Sequence, residues 1–289
     1  MIVDVNPDGR EWSTLSTGDR IRSLEVEGFV VLPEVLNTET LATLKRQTCD
    51  WDPTAVDYSV HQRTMSDVQF AGGAVTSLIA HEPVIKFLRA AMGPDLVFMN
   101  AHFAISEPGH PGMNLHTDSH PYGHVNWGYS FSAPRQVRVL YYLDELTPEV
   151  APLRVVPRSH LSMHPDANPY KRYPSHPEEI SISAPAGTAV VINLALFHAN
   201  GPNTGDRSRE MIAMSYRPAW CGPTVPDVDV WPADALAGLS EETRAICGDR
   251  NQRIAPAAAG GPTDKPQQTS PLDSRTDAAG ISPSRWTRA

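Results

Sequence analysis

Cysteine is scarce: Cys49, Cys221 and Cys247 are the only three in 289 residues. Their wide spacing makes neither a disulfide framework nor a zinc knuckle. They read as the reduced thiols of a cytoplasmic protein. Long apolar runs are also missing. No stretch approaches the ~20 residues needed to cross a bilayer, so no membrane partner is expected. The opening MIVDVNPDGREW lacks the basic-then-apolar order of a secretion signal. Nor is there a basic block. The formal charge is -9, and phosphate backbones need clustered cations, so no nucleic-acid partner is expected.

What is present is enough to build a sizeable core, in one large domain or two small ones. Proline is frequent, 27 residues in all, and it cuts the chain into short segments that suit strands and loops better than a helical bundle. Helices are expected early. Asp19 to Glu27 carries Ile21, Leu24 and Val26 among charges and ends at Gly28. Phe29 to Leu32 reads as a short strand. Asn37 caps a helix over Thr38 to Thr48, with Leu41 and Leu44 on one face. Glu82 to Met92 spaces Val84, Phe87, Leu88 and Ala91 helically, and Gly93 stops it.

After Gly93 the period changes. Leu96 to Ser106, Gln136 to Leu143, Leu153 to Val156, Ile180 to Ser183, Ala189 to Leu196 and Met211 to Tyr216 read as strands bounded by Pro, Gly or Asn. Helices first and strands later predict a mainly β chain with helices (α+β), a sandwich or barrel under a helical layer. Residues 1–253 are read as a single domain. From about Ile254 the chain is dense in Ala, Gly, Pro and Ser. It cannot bury enough surface to offset its ordering entropy, so 254–289 is read as a disordered tail, with Trp286 its one docking candidate.

The sharpest local signal is His116-Thr117-Asp118. Residues two apart on a strand share a face, so both side chains can converge on one metal ion. The best third ligand is His198, at the end of the apolar run Thr188 to Phe197. Two imidazoles and one carboxylate on one octahedral face leave open positions, as non-haem Fe(II) oxygenases require. The pair alone is weak, because His116 also reads as a surface histidine, Asp118 as a turn cap and His198 as a loop residue. The segment after His198 adds to it. Gly201-Pro202-Asn203 and Asp206-Arg207-Ser208-Arg209 lead into a strand, and an arginine there can clamp a carboxylate with two parallel bonds.

Taken in order, these motifs resemble the phytanoyl-CoA dioxygenase family of Fe(II)/2-oxoglutarate oxygenases, over roughly residues 15–220. The resemblance begins with Glu27-Gly28-Phe29-Val30-Val31-Leu32-Pro33 and Val35-Leu36. It runs through His116-x-Asp118, Leu143-Asp144-Glu145 and Ala151 to His160, and closes on Phe197 to Asn203 and Arg209. It implies a double-stranded β-helix (jelly roll, cupin-like) core with helices on the major sheet. It also implies Fe(II) at His116, Asp118 and His198, 2-oxoglutarate as cosubstrate, and O2. Arg209 stands eleven residues after His198, the family's offset for the cosubstrate arginine; Arg207 is its rival. Asn200, Phe103 and Leu140 join Arg209 as cofactor-binding residues. The chain departs from the family pattern at Leu115, where Trp is common, and at Ala151 and Arg158, where the family carries Gly.

Other residues stay open. His160 reads as structural. His102 is a core histidine or a pocket residue. Ser119 to Phe131, with His120, Tyr122, His124, Trp127, Tyr129 and Phe131, is a surface loop or a lid over the substrate. Arg138 either pairs with a carboxylate on the outer face or points inward towards an anionic substrate. Tyr122, Trp127, His102 and Arg138 are thus the substrate-pocket candidates. The expected activity is hydroxylation of an unactivated C–H bond of a small metabolite, with succinate and CO2 released. Retention of Asp118 favours this over halogenation, since related halogenases lack the carboxylate. Desaturation or epoxidation on the same ligands, or a cupin-type isomerase or hydrolase holding zinc or manganese, are the alternatives. The substrate and the oligomeric state are left open.

Overall fold

A computed structural model of the chain describes residues 11–118, 134, 136–161, 174–221 and 231–248. The expected tail, with Trp286, lies outside them, as do Tyr122 and Trp127 of the expected lid. Contacts divide the chain into Met1–Asn251 and Gln252–Ala289, and all described residues belong to the first unit.

Three helices form where capping and periodicity place them. In α1 (Thr17–Val26) the Ser16 hydroxyl accepts the Asp19 N–H. In α2 (Thr38–Thr48) the Asn37 side chain accepts the Thr40 N–H at 2.8 Å, supplying one of the bonds a helix start lacks. In α4 (Glu82–Met92) Pro83 sits in the first turn, where its missing N–H costs nothing, and Gly93 at φ 97° ends the helix. Between α2 and α4 comes the short α3 (Gly73–Ser77). Two further short helices, α5 (Ala233–Ala237) and α6 (Glu241–Ile246), follow the strands.

The strands are β1 (Phe29–Leu32), β2 (Ala55–Asp57), β3 (Ser59–Ser66), β4 (Leu96–Ser106), β5 (Val137–Tyr142), β6 (Leu153–Val155), β7 (Ile180–Ile182), β8 (Ala189–Asn193), β9 (His198–Asn200) and β10 (Arg209–Pro218). They form a seven-stranded sheet ordered β1-β8-β5-β10-β4-β3-β2 and a three-stranded sheet ordered β7-β6-β9. Every pairing is antiparallel. Leu153, Val155 and Ile182 of the small sheet share one apolar core with the large one.

The central strand β10 shows how the two faces divide. Ile212, Met214 and Tyr216 turn to the helices, and the Tyr216 hydroxyl donates to the Ile79 carbonyl at 3.0 Å. Arg209, Met211, Ala213 and Ser215 point the other way, because side chains alternate along a strand. In antiparallel sheets, directly paired residues share a face. The inner face therefore also carries Ser106 and His102 of β4, and Tyr142, Leu140 and Arg138 of β5.

Strands β2 and β3 were not foreseen. Ser59–Ser66 has no apolar alternation because its inner residues Gln62, Thr64 and Ser66 pair with Ser106, Ala104 and His102, on the face that carries Arg209 and Arg138. Burial usually makes a strand face apolar, and a polar lining removes that signal.

The two family glycines replaced here both fall at turns with left-handed backbone. Ala151 has φ 44° and Arg158 φ 66°, a region costing a side-chain-bearing residue about 1–2 kcal/mol. At Arg158 the ion pair to Glu27 at 2.9 Å and an N–H bond to the Glu27 carbonyl offset part of that cost. Gly28 is itself retained, at φ 87°, and a Cβ there would lie 2.6 Å from both His160 Nδ1 and Leu196 Cδ1. Gly28→Ala should therefore destabilise the fold by about 2–3 kcal/mol, combining strain with overpacking. Urea unfolding checks this; an unchanged midpoint would contradict the contact.

Candidate metal centre and cosubstrate pocket

The segment before β5 runs antiparallel to β9. His116 and His198 exchange both backbone bonds, His116 N to His198 O at 3.0 Å and His198 N to His116 O at 2.8 Å. Asp118 N then donates to Leu194 O at 2.9 Å. Opposed residues of such a pair point to one face, so two histidines 82 positions apart meet side by side, with ring centroids 4.5 Å apart. Behind them Leu115, Phe197 and Ala199 pack with Met113 and Val156 in a small separate core. Alternation thus sends the apolar residues to one side and the polar ones to the other. Arg154 of β6 ties down the approach by donating to the Met113 carbonyl at 2.6 Å.

One ligand atom each from His116, Asp118 and His198 lies within 4.8 Å of the others. Asp118 Oδ1 is 3.7 Å from His116 Nε2, and Oδ2 is 3.6 Å from His198 Nε2. Each histidine Nδ1 is 3.0 Å from the carbonyl two residues before it, Asn114 O and Leu196 O. A carbonyl only accepts, so Nδ1 carries the proton and Nε2 keeps its lone pair for a metal. Burial, then the neighbouring His198, pushes His116 down to about 4. Burial alone would raise Asp118, but Arg138, His198 and His116 outweigh it and hold the carboxyl down to about 2. Near neutral pH this leaves a neutral His116 and an ionised Asp118, the forms a metal ion takes.

Arg138 resolves its two readings in an unforeseen way. It pairs with a carboxylate, but from the inner face: its guanidinium lies 2.8 Å from Asp118 Oδ2, and Nε donates to Ser215 Oγ at 3.3 Å. His102 lies on the same face, with Nδ1 3.2 Å from Ser66 Oγ. Burial, then Arg138, lowers its pKa.

Arg209, fully buried, is the other focus. One terminal nitrogen donates to Ser106 Oγ at 3.1 Å, and Ser106 in turn bonds Gln62. The guanidinium carbon lies 5.5 Å from the centre of the Tyr142 ring. Nε and the second terminal nitrogen have no partner among the described residues, and neither does the Tyr142 hydroxyl. A buried cation with free donors is costly unless an anion completes it, so the pocket fits a carboxylate guest. Asp144 of the Leu-Asp-Glu motif sets the start of β10. It accepts the Glu210 N–H at 2.8 Å and pairs with Lys45 of α2 at 2.7 Å. Arg207, the rival, is half-exposed and pairs with Glu145 at 3.4 Å.

The remaining expectations divide. Leu140 lies on the inner face, opposite Ala213. Asn200, in β9, donates to Met113 Sδ at 3.3 Å. Phe103 does not belong with them. It pairs with Ile212 on the helix side and packs edge-on against Trp51, with centroids 5.3 Å apart. Strand parity, which the sequence reading did not apply to it, turns it away from Arg209. His160 holds the Glu25 carbonyl at 2.9 Å, a structural bond.

Four polar residues went unnoticed in the sequence: Asp57, Gln62, Ser106 and His110. None stands in an apolar pattern that would mark it. His110 is buried, with Nδ1 2.9 Å from Ser59 Oγ and Nε2 without a partner among the described residues. Burial, then Arg209 and His61, push it from its ordinary 6.5 down to about 4. Between those values the unfolded chain binds a proton that the folded chain refuses. The contribution of His110 to stability is thus complete above about pH 6.5 and is lost as pH falls towards 4. A depression of this size is worth on the order of 3 kcal/mol. His110→Gln should flatten the pH dependence of urea unfolding across that window by part of this amount; an unaltered slope would contradict the assignment.

The comparisons agree with this fold. The solved structure of HygX from Streptomyces hygroscopicus, with nickel and 2-oxoglutarate bound, matches with a TM-score of 0.60 and 17% identity, covering 76% of this chain and 94% of that one. The non-haem, α-ketoglutarate-dependent epimerase SnoN from nogalamycin biosynthesis matches at 0.58 and 17%, covering 70% and 81%. The carbocyclase SnoK of the same biosynthesis matches at 0.58 and 19%, covering 72% and 86%. At these identities the likeness is one of fold, and it bears out the jelly-roll core. No curated protein matches the chain in sequence. The phytanoyl-CoA dioxygenase family model matches residues 24–211, and the chain belongs to this family of Fe(II)/2-oxoglutarate-dependent oxygenases.

Proposed function

We propose that this protein hydroxylates an unactivated C–H bond of a small natural-product intermediate, with His116, Asp118 and His198 holding Fe(II) and Arg209 holding 2-oxoglutarate. The observation that carries this reading is the convergence of the three ligand atoms, with both Nε2 lone pairs left free by the Nδ1–carbonyl bonds. When bound, iron and 2-oxoglutarate supply the oxidising chemistry, with succinate and CO2 as the cosubstrate's products. The chain's own residues position and protect. Arg138 holds the Asp118 carboxylate from the side, which keeps it ionised and oriented. Arg209 offers two unspent donors to a distal carboxylate. The inner face of β5 and β10 walls the pocket.

A second outcome on the same ligands is favoured by the neighbours, since SnoN is an epimerase and SnoK a carbocyclase. The test covers both. Protein loaded anaerobically with Fe(II) and 2-oxoglutarate should develop a weak visible charge-transfer band. Succinate release is then screened against candidate metabolites, with products read by mass. A one-oxygen gain supports hydroxylation, an unchanged mass or a loss of two hydrogens supports the second outcome, and no band at all sinks the oxygenase reading.

A further inference from the structure

Tyr142 is the last residue of β5, and its side chain is fully buried. Register decides where it points. Tyr142 lies opposite Met211 of β10, so it shares the inner face with Arg209, two positions earlier in that strand. Diagonal neighbours on one face come within reach when their side chains are long. Here the guanidinium carbon of Arg209 stands 5.5 Å from the centre of the Tyr142 ring.

The contrast with a second tyrosine is instructive. Tyr216, as deeply buried on the helix side, donates its hydroxyl proton to the Ile79 carbonyl at 3.0 Å. The Tyr142 hydroxyl has no partner among the described residues, and nor do Nε and one terminal nitrogen of Arg209 beside it. Buried hydroxyls are normally bonded, because an unmade bond costs the full desolvation of the group. Two such groups side by side on adjacent strands point to one guest that accepts from both.

The chemistry of that guest follows from the donors. Burial pushes the Tyr142 phenol up to about 12, with Arg209 pulling the other way. Near neutral pH the group is therefore a hydroxyl and can donate. A carboxylate has lone pairs enough to accept from a phenol and a guanidinium together, and its charge answers the cation. A methyl end group would leave both donors unmet.

We propose that the Tyr142 hydroxyl donates to the distal carboxylate of 2-oxoglutarate alongside Arg209, and so makes the pocket selective for a 2-oxo acid that ends in a carboxylate. This deepens the reading of Arg209 above and rests on it. Arg209 supplies the charge. Tyr142 fixes how the carboxylate is turned, because one donor comes from β5 and the other from β10.

The test uses the full chain loaded with Zn(II), which holds the cosubstrate without turnover. Calorimetry measures the affinities of 2-oxoglutarate and of 2-oxopentanoate, which carries a methyl in place of the distal carboxylate. Tyr142→Phe should weaken 2-oxoglutarate about tenfold, as loss of one bond to a charged group implies, and leave 2-oxopentanoate at its wild-type value. Its ligand-free unfolding midpoint should be no lower than that of wild type, since the hydroxyl removed had no bond to lose. Tyr216→Phe is the control. It removes a bonded hydroxyl from the helix side, so its midpoint should fall while both affinities hold. Equal loss for the two acids in Tyr142→Phe, or loss for neither, overturns the proposal. So does a ligand-free midpoint that falls as in Tyr216→Phe, which would make the hydroxyl structural. Wild type that fails to bind 2-oxoglutarate, or binds the two acids alike, instead overturns the cosubstrate reading beneath it, so the two failures are distinguishable.

Discussion

Arg209→Met should lower the affinity for 2-oxoglutarate by about 100-fold or more while leaving the ligand-free fold at least as stable as wild type. The two halves have one cause. Arg209 is fully buried, and two of its donor nitrogens have no partner among the described residues. Burial already drags its pKa down, against the opposing pull of Tyr142 and Asp144. Removing one partner of a buried, hydrogen-bonded charge pair costs about 3–5 kcal/mol in a complex. Without the guest, the same substitution replaces an uncompensated cation by an apolar side chain of similar length, which is commonly neutral or stabilising. Titration of 2-oxoglutarate gives the first quantity and thermal unfolding the second. A variant that binds 2-oxoglutarate like wild type removes Arg209 from the clamp. A variant that merely unfolds shows that its bond to Ser106 is structural.

The second large effect is expected at His198. His198→Ala should abolish the visible band of the Fe(II)/2-oxoglutarate complex and reduce succinate release to background. Loss of an outer partner of a metal ligand alone costs about 10–100-fold in affinity or activity, and loss of a direct ligand exceeds that. The fold should survive, because His198 is joined to His116 through backbone bonds that alanine keeps. His160→Ala is the control. His160 holds the Glu25 carbonyl and lies outside the ligand cluster, so its removal should cost stability and leave metal binding intact. Wild-type iron affinity in His198→Ala would refute the ligand set.

Much of this was legible in the chain. The Asn37 cap, the stop at Gly93 and the strand Leu96–Ser106 follow from local rules, because each depends on neighbours within a few residues. The His116 and Asp118 pair follows from strand periodicity. His198 was chosen as third ligand from its place after an apolar run, but the offset of Arg209 came from resemblance to a family, since no local rule links a metal ligand to a cosubstrate clamp. The errors have physical reasons too. His198 was read as lying at the end of a strand, yet it begins β9. The pairing that makes it a strand is with Val155 of β6, distant in sequence. Phe103 was assigned to the cosubstrate, and strand parity faces it towards the helices instead.

By itself, then, the sequence determined the three longer helices, most of the strands and the family, all of which reside in short-range patterns or in motif order. Only the tertiary structure decided which polar groups are buried without partners and which charges answer one another. Arg138 is the case in point. As a residue it was a cation in an apolar strand, facing either way. The register of β5 against β10 turns it inward, and the bridge between His116 and His198 brings Asp118 within 2.8 Å of it. Asp57 and Tyr58 carried no pattern at all. In the fold a hairpin brings both beside a site made more than fifty residues later. Charge compensation and burial are properties of distances in space, and a linear pattern records those only where the backbone itself repeats.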